Sequence, residues 1–191
     1  MDLVERAKGI LVSPKTEWAK IEGEPGDVAY LFTNYVAILA AIPPVCTFIG
    51  NLIFGVSAPG VATVRVGPAA GLIGALLQYA LAFVMVYLIA LVADALAPTF
   101  GGRKDQSSAL KAVVYSMTPV WLVGVFALIP GLKIFGVLAL YSLYLLWVSA
   151  PTLMKTPNDR SVPYVAAVVA CGMALGFVIA AVVGAVIGAV A

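Results

Sequence analysis

The chain contains little charge and no histidine. Only 10% of its 191 residues are charged, whereas a soluble domain carries about 25%. This deficit excludes a water-covered surface over most of the chain. The absence of histidine removes the commonest general base and the commonest metal ligand in proteins. Both absences argue against a soluble, histidine-based enzyme or metal protein.

Cysteine is scarce, and the sequence motifs of common enzymes are absent. Cys46 and Cys171 both lie inside apolar runs, so we interpret them as small buried hydrophobic residues rather than as a disulfide or metal site. The sequence holds no HExxH, Walker loop or dinucleotide fingerprint. We therefore predict a protein that is not an enzyme, with no catalytic residues, no metal and no cofactor. A net charge of +2 without a basic block also argues against a nucleic-acid partner.

Long apolar runs dominate what is present. Hydrophobic residues make up 63% of the chain, and runs of about 18 or more such residues are typical of membrane helices. We predict an all-α polytopic membrane protein, built as a cytosolic amphipathic segment at residues 1–27 and a five-helix transmembrane domain at residues 28–191. The predicted spans are 28–56, 69–97, 112–129, 132–154 and 162–191.

The segment before the first span is polar and helical in pattern. It holds half of the charged residues of the chain. Ser13 followed by Pro14 is a helix-start signal, and Trp18 follows one turn later. Because a tryptophan ring favours the headgroup layer, one interpretation is a helix on the membrane surface with Trp18 as its anchor. The other is a small helix packed on the cytosolic ends of the bundle, without lipid contact.

The distribution of lysine and arginine predicts the orientation. All but two of the eleven Lys and Arg residues fall on the side that carries the N-terminus, and the two exceptions are Arg65 and Lys133. Since short cytosolic loops are enriched in Lys and Arg, we predict a cytosolic N-terminus. An odd number of spans then places the C-terminus outside.

Few polar groups interrupt the predicted spans. Asp94 is the only acidic residue inside an apolar segment, and an ionisable group within a membrane is by default a functional hypothesis. Alternatively, Asp94 reaches water or pairs with Lys111 or Arg103. The other candidate residues within the membrane lie in the third span: Tyr115, Ser116 and Pro119.

Helix breakers and small residues mark two spans. Pro43-Pro44 in the first span predicts a kink or break, which serves either a transport site or the packing alone. The last span carries a small residue at every fourth position, so that these residues share one helix face and let another backbone approach. This face packs within the bundle or between protomers. Its members are Gly172, Gly176, Ala180, Gly184 and Gly188.

Four stretches occur in a distinctive order along the chain. They are RAKGILVSPKTEWAKIEGE at 6–24, FGGRKDQSSALKAVVYSMTP at 100–119, ALIPGLKIFGVLALYSLYLLWVSAP at 127–151 and LMKTPNDRSVPY at 153–164. Their order and spacing resemble the Yip1-domain family of membrane proteins over nearly the whole chain, in its short prokaryotic form. The long cytosolic N-terminal region of eukaryotic members, with its Asp-Leu-Tyr-Gly-Pro motif, has no counterpart in this sequence.

The resemblance implies five spans with a cytosolic N-terminus and, for a prokaryotic member, a place in the inner membrane. Eukaryotic members are linked to vesicle traffic and to Rab-type GTPases, but we do not expect GTPase binding for this short form. We expect a membrane-organising, adaptor or trafficking-like protein whose helices pack against lipid, other membrane proteins or further copies of the chain. The alternative is a small transporter or channel for an unknown solute or ion.

Overall fold

The structure is a computed structural model that describes residues 2–58, 61–65 and 67–190. The chain folds into a helical bundle, which confirms the predicted all-α membrane architecture. Within the described residues, five helical segments are long and apolar enough to cross a membrane. These spans are Val28–Phe54, Pro68–Phe100, Gln106–Leu128, Pro130–Leu153 and Asn158–Ala181.

Two short helices precede the spans, α1 (Leu3–Val12) and α2 (Pro14–Glu22). The Asp2 carboxylate accepts a backbone hydrogen bond of 3.0 Å from the first turn of α1, which satisfies one of the free amides at a helix start. α2 begins at Pro14, as its sequence predicts, because a proline in the first turn loses no intrahelical hydrogen bond.

The first span is interrupted. It comprises α3 (Val28–Leu31), a π-helical turn (Phe32–Val36), α4 (Ala37–Leu39) and α5 (Ile42–Phe54). The break between α4 and α5 falls at residues 40–41, directly before Pro43-Pro44. Neither proline has an N–H for the carbonyl four residues earlier, so the helix stops and restarts with both prolines in its first turn. The predicted break is confirmed.

A short β-hairpin follows the first span and was not predicted. Gly55 ends α5 at a φ of 77°, a conformation that favours glycine. The strands β1 (Val56–Ala58) and β2 (Val61–Val64) pair antiparallel, with Val56 opposite Val64. Four of the seven strand residues, three of them in β2, are β-branched and favour extended backbone. The hairpin occupies the loop between the first two spans and leaves the helical fold class unchanged.

The other four spans are mostly continuous helices. The second is α6 (Pro68–Leu96) with a 3-10 turn (Ala97–Phe100). The third is α7 (Gln106–Ser116), α8 (Thr118–Val123) and a 3-10 turn (Gly124–Leu128). The fourth is a 3-10 helix (Pro130–Leu140) and α9 (Tyr141–Leu153), and the fifth is α10 (Asn158–Val190).

The third span lies at the centre of the bundle. Of its most apolar stretch, 61% is buried, against 17–28% for the corresponding stretches of the other four spans. It contacts the first, second and fourth spans, whereas α10 packs on α6 and α9. The four outer spans therefore expose many large apolar side chains, as expected where lipid is the surrounding medium.

Candidate functional site

The N-terminal helices are docked on the bundle. α1 contacts α7 and α8, and α2 contacts α9. Trp18 has no exposed surface, and its ring meets the Tyr115 ring edge-on, with 6.3 Å between the centroids. This corrects the interpretation of Trp18 as a membrane-surface anchor, because its ring is enclosed by protein. The structure supports the alternative, in which the segment packs on the ends of the spans.

A buried ion pair joins α1 to α2. Arg6 Nη1 donates to Glu17 Oε1 over 2.7 Å, and both residues are only 3% exposed. Arg6 also pairs with Glu24, and its guanidinium carbon lies 5.4 Å from the centroid of the Tyr115 ring. Lys20 Nζ donates to the second Glu17 oxygen over 3.0 Å. Because an unpaired buried charge costs several kcal/mol, this arrangement holds the two helices in one relative position.

Lys111 of α7 binds the carboxyl end of α2. Its Nζ donates to the carbonyl oxygens of Ile21 and Glu24, each over 2.9 Å. The last carbonyls of a helix lack intrahelical donors, and a cation is favourable there. Lys111 is therefore not a partner of Asp94, and Arg103 instead pairs with Asp105 over 3.1 Å. Both predicted ion-pair alternatives for Asp94 are wrong.

Tyr115 and Pro119 lie beside a buried cluster of hydrogen-bonded hydroxyl groups and aromatic rings between the first and third spans. Pro119 has no N–H, so the Tyr115 carbonyl, four residues earlier, loses its helical donor. Thr118 Oγ1 donates to that carbonyl over 2.7 Å. Because the Thr118 hydroxyl proton is engaged in that bond, Thr118 Oγ1 accepts a hydrogen bond from the Tyr35 hydroxyl, also at 2.7 Å. The Tyr35 ring in turn lies 4.8 Å from the Tyr115 ring and 6.3 Å from that of Trp121.

A polar cleft opens beside this cluster, at the end of the bundle that carries α1 and α2. It consists of two cavities of about 370 and 250 Å³ that share Glu24, Tyr30 and Tyr115 in their walls. Lys111 and Asp27 line the first cavity, and Arg6 and Asp2 are among the residues that line the second. Carboxylates, cations and tyrosines at one place can bind a polar group of a partner. The cleft offers no nucleophile–base pair for acyl transfer.

Asp94 and Ser116 are buried away from the cleft. Asp94 is 6% exposed, and its Oδ1 has no hydrogen-bond partner among the described residues. The nearby Tyr164 hydroxyl donates instead to the Ala93 carbonyl over 2.9 Å. Ser116 is 1% exposed, its hydroxyl also lacks a partner in the described part of the chain, and it lines an apolar cavity of about 210 Å³. The four candidate residues of the membrane interior thus do not form one site.

The small-residue face of the last span packs loosely where it is described. A Cβ added to Gly172 would lie 3.5 Å from Ile89, and one added to Gly176 would lie 3.9 Å from Met85. These are ordinary contact distances between α10 and α6. Ala180 is exposed. The predicted members Gly184 and Gly188 lie outside the residues whose surroundings the structure describes.

The first and third spans approach each other closely at two glycines that the sequence analysis did not select. A Cβ on Gly50 of α5 would lie 2.5 Å from the Ala127 carbonyl oxygen, and one on Gly124 would lie 2.8 Å from the Pro43 Cα. The first and third spans therefore meet nearly backbone to backbone. Each glycine stands alone in its span, so no repeat in the sequence marks it.

These features define a polytopic helical membrane protein whose N-terminal helices form part of the bundle. Among the described residues, no group of three or more His, Cys, Asp or Glu residues could hold a metal ion. The Yip1 domain model matches residues 8–190, and the chain belongs to the Yip1-domain family.

Two curated relatives are similar over most of the chain. Inner membrane protein YohC of Escherichia coli strain K12 is 26% identical over 168 residues, which cover 86% of this chain and 86% of the relative. Inner membrane protein YohC of Escherichia coli O6:H1 gives the same identity and coverage. No solved structure is significantly similar to the chain.

Proposed function

We propose that this chain is a non-enzymatic organiser of the inner membrane, which binds protein or lipid partners through surface grooves. The names of its relatives support the location, and its five apolar spans support insertion in a bilayer. The proposal includes a cytosolic N-terminus, so that the polar cleft beside α1 and α2 faces the cytosol.

One observation carries this proposal: the space between the N-terminal helices and the central span is filled by protein. The buried rings of Trp18, Tyr35, Tyr115 and Trp121 occupy it, and each is at most 5% exposed. A transporter needs a polar path near the midplane of the membrane. The cavities described above lie beside this filled region, and they suit binding rather than conduction.

A groove between α5 and α6 is the strongest candidate for a partner helix. It has a volume of about 300 Å³, and its walls include Gly71, Gly74, Thr47, Asn51 and Gln78. Small residues let a second helix approach closely, and polar side chains in hydrocarbon form hydrogen bonds across helices. The groove therefore combines the two features that promote association of membrane helices.

Site-specific photocrosslinking in native membranes tests the proposal. A photoreactive residue at Gln78 should give a discrete crosslinked product, which is either a second copy of the chain or another membrane protein. The same residue at Ile73, which is 67% exposed on the same helix, is the control and should give only lipid adducts. Lipid adducts alone at both positions, with a monomeric and partner-free protein after gentle extraction, would contradict a protein-binding role.

The second candidate function is a small transporter, and Asp94 supports it. A buried acid with an oxygen that has no partner among the described residues is a possible ion or proton site. Flux of ions and solutes into liposomes that contain the purified chain would test this. If any flux is found, Asp94→Asn should abolish it, and unchanged flux in that variant would remove the acid from the mechanism.

A further inference from the structure

The apolar cavity of about 210 Å³ that Ser116 lines is enclosed by four helices. These helices pack in a ring, in which α6 contacts α7, α7 contacts α9, α9 contacts α10, and α10 contacts α6. All four contribute to the walls, so the cavity occupies the centre of the ring. Most of its lining residues are apolar, and its two polar ones within the described part of the chain are Ser116 and Ser142.

The cavity lies deep in the membrane. α7 begins, α9 ends and α10 begins at the end of the bundle that carries α2. Ser116 lies ten residues after the start of α7, Ser142 eleven residues before the end of α9, and Gly172 fourteen residues after the start of α10. At about 1.5 Å per residue, these positions are about 15–21 Å from that end. Because the hydrocarbon core is about 30 Å thick, a ligand of this cavity comes from lipid rather than from water.

Two serine hydroxyls in the cavity wall lack partners. Ser116 is 1% exposed, and its Oγ has no partner among the described residues. Ser142 is 8% exposed, and its hydroxyl makes no hydrogen bond to another described residue. By contrast, the buried hydroxyl of Ser149 on α9 donates to the Leu146 carbonyl over 2.7 Å. Because burying an unpaired hydroxyl is unfavourable, two of them in one apolar cavity indicate a ligand that carries a polar atom.

The surroundings favour an apolar ligand over water. A buried water makes about three hydrogen bonds, whereas the walls offer two serine hydroxyls among apolar side chains. Two lining residues also face lipid, since Leu143 of α9 is 40% exposed and Met173 of α10 is 60% exposed. A lipid-soluble molecule can therefore enter sideways between α9 and α10.

The cavity is compact. Its lining residues extend from Val113 to Met117 on α7 and from Val168 to Met173 on α10, which is about 6–8 Å along each helix at about 1.5 Å per residue. An engineered apolar cavity of about 150 Å³ in another protein binds benzene. A cavity of about 210 Å³ with this short axial extent therefore suits a substituted ring better than an extended acyl chain.

We propose that this cavity binds the ring of a neutral, lipid-soluble molecule that carries a hydroxyl or carbonyl oxygen. The apolar walls hold the ring, and the hydroxyls of Ser116 and Ser142 form hydrogen bonds with its oxygen. A serine hydroxyl both donates and accepts, so it can pair with a phenol or with a quinone. Any tail of the molecule passes Leu143 and Met173 into the bilayer. No charged side chain of the described residues lines the cavity, which favours a neutral ligand over an ion.

Photolabelling tests which molecules the cavity binds. The full chain is reconstituted in phosphatidylcholine vesicles with a phenol that bears a trifluoromethyl-diazirine group or, in parallel, with the corresponding benzene derivative, which lacks the hydroxyl. Mass spectrometry compares adducts on Val113, which is 1% exposed and lines the cavity, with adducts on Phe177, which is 73% exposed to lipid one turn beyond Met173. We expect a ratio about fivefold higher for the phenol, the factor that one net hydrogen bond contributes. Equal ratios for the two probes would overturn the proposal.

Serine variants assign the hydrogen bonds. Ser116→Ala and Ser142→Ala should each reduce the advantage of the phenol, and the double variant should abolish it. Ser149→Ala is the matched control, because Ser149 is buried on the same helix as Ser142 but does not line the cavity. The unfolding midpoint of each variant confirms that it is folded. An unchanged advantage in the double variant, or an equal loss in Ser149→Ala, would contradict the assigned hydrogen bonds.

Filling the cavity provides a second test. A Cβ on Gly172 would lie 3.5 Å from Ile89, and both residues line the cavity, so a leucine at position 172 occupies part of it. Gly172→Leu should abolish the labelling of Val113 by both probes. Gly176→Leu, one turn further along α10 and outside the cavity, should leave that labelling unchanged. Labelling of Val113 that persists in Gly172→Leu would show that the adducts form elsewhere.

Two competitors distinguish the oxygen that is bound. An excess of para-cresol or of tetramethylbenzoquinone should suppress the labelling of Val113 by the phenol probe, and the stronger competitor identifies a hydroxyl or a carbonyl ligand. Suppression by neither would overturn the proposal. The inference goes beyond the proposed function, because it concerns a ligand inside the bundle. Crosslinking from Gln78 reports on the groove between α5 and α6, so failure of either proposal is distinguishable from failure of the other.

Discussion

At the scale of single residues, the charges of the N-terminal segment stabilise the fold. The sequence showed an amphipathic start but did not show that Arg6 and Glu17 are buried together. Gly9 permits this arrangement, because a Cβ there would lie 2.8 Å from the Glu17 carboxylate. Ion pairing between residues far apart in sequence depends on how α1 and α2 cross, which helical periodicity does not specify.

Arg6→Met should strongly destabilise the docked N-terminal helices. Glu17 would remain buried with only Lys20 as its partner, and loss of one member of a buried pair costs about 3 kcal/mol. Unfolding in detergent, followed by the fluorescence of the buried Trp18, measures this. Lys20→Met is the control, with a loss below about 1 kcal/mol because its side chain is 63% exposed. Equal losses in the two variants would contradict the buried pair.

Asp105, which starts α7, should make stability depend on acidic pH. Burial favours its neutral form, but hydrogen bonds from the Ser108 amide and hydroxyl and the nearby Arg103 together hold the pKa of the Asp105 carboxyl below its usual value. Because this pKa is lower in the folded chain than the value of about 3.9 expected after unfolding, ionised Asp105 stabilises the fold above that pH. The contribution is lost as the pH falls through the lowered pKa.

Asp105→Asn isolates this contribution, since asparagine also caps helices but does not titrate. The variant should be less stable than the parent at neutral pH, and the difference should shrink below about pH 4. Denaturant unfolding at several pH values measures both proteins. A difference that stays constant with pH would show that the Asp105 charge does not contribute.

At the scale of elements, prolines set the breaks in the helices, and nearby side chains compensate for the missing amides. The break before Pro43 was predictable because it follows from the chemistry of consecutive residues. The hydrogen bond between Thr118, beside Pro119, and Tyr35 was not, since it joins the third span to the first and depends on how the two helices pack. The β-hairpin was also missed, because its strands are short and follow an apolar run that continues the helical pattern.

Thr118→Val should destabilise the junction of the first and third spans. It removes the donor to the Tyr115 carbonyl and the acceptor for Tyr35, at a cost of about 2 kcal/mol for buried groups left without partners. In a Pro119→Ala background the cost should fall by about 1 kcal/mol, because residue 119 regains an N–H for that carbonyl. The unfolding free energies of the parent, the two single variants and the double variant form a double-mutant cycle. If the effects of the two substitutions simply add, Thr118 does not compensate for the amide missing at Pro119.

The two sets of glycines should respond differently to alanine. Gly50→Ala should cost about 1–3 kcal/mol, because its Cβ would clash with the carbonyl oxygens of Ala127 and Leu128 at 2.5 and 2.9 Å. Gly172→Ala should be neutral or stabilise by up to about 1 kcal/mol, since its Cβ would make only ordinary contacts with Ile89 at 3.5 Å and alanine favours helix. Gly50 and Gly172 both lie within helices, so the gain in helix propensity from glycine to alanine is similar for the two variants. The difference between their unfolding midpoints therefore reports the steric contact alone. A similar loss in both would contradict the close approach at Gly50.

At the scale of the whole molecule, the cationic segments meet at one end of the bundle. Lys111 binds the end of α2, Lys155 pairs with Glu22, and the Arg103 amide donates to the Met154 carbonyl over 2.8 Å. The N-terminal segment and the loops after α6 and α9 therefore lie together. This arrangement agrees with the charge count along the sequence and supports the proposed cytosolic position of this end.

The orientation itself remains a prediction, with the N-terminus in the cytosol and the C-terminus outside. Fusion of a reporter that is active only in the cytosol should give signal at the N-terminus and none at the C-terminus. A reporter active only outside should give the reverse. Cytosolic signal from the C-terminal fusion would contradict either the number of spans or the positive-inside assignment.

The sequence by itself determined the class of this protein, because a shortage of charge, long apolar runs and proline positions act through consecutive residues. Only the tertiary structure decided which side chains meet. It placed Trp18 in the interior and Trp147 at the surface, paired Lys111 with α2 rather than Asp94, and brought Gly50 and Gly124 to the helix crossing. The physical reason is that such partners depend on the rotation and depth of each helix relative to its neighbours. In a chain that is apolar on nearly every face, hydrophobic periodicity carries little information about either.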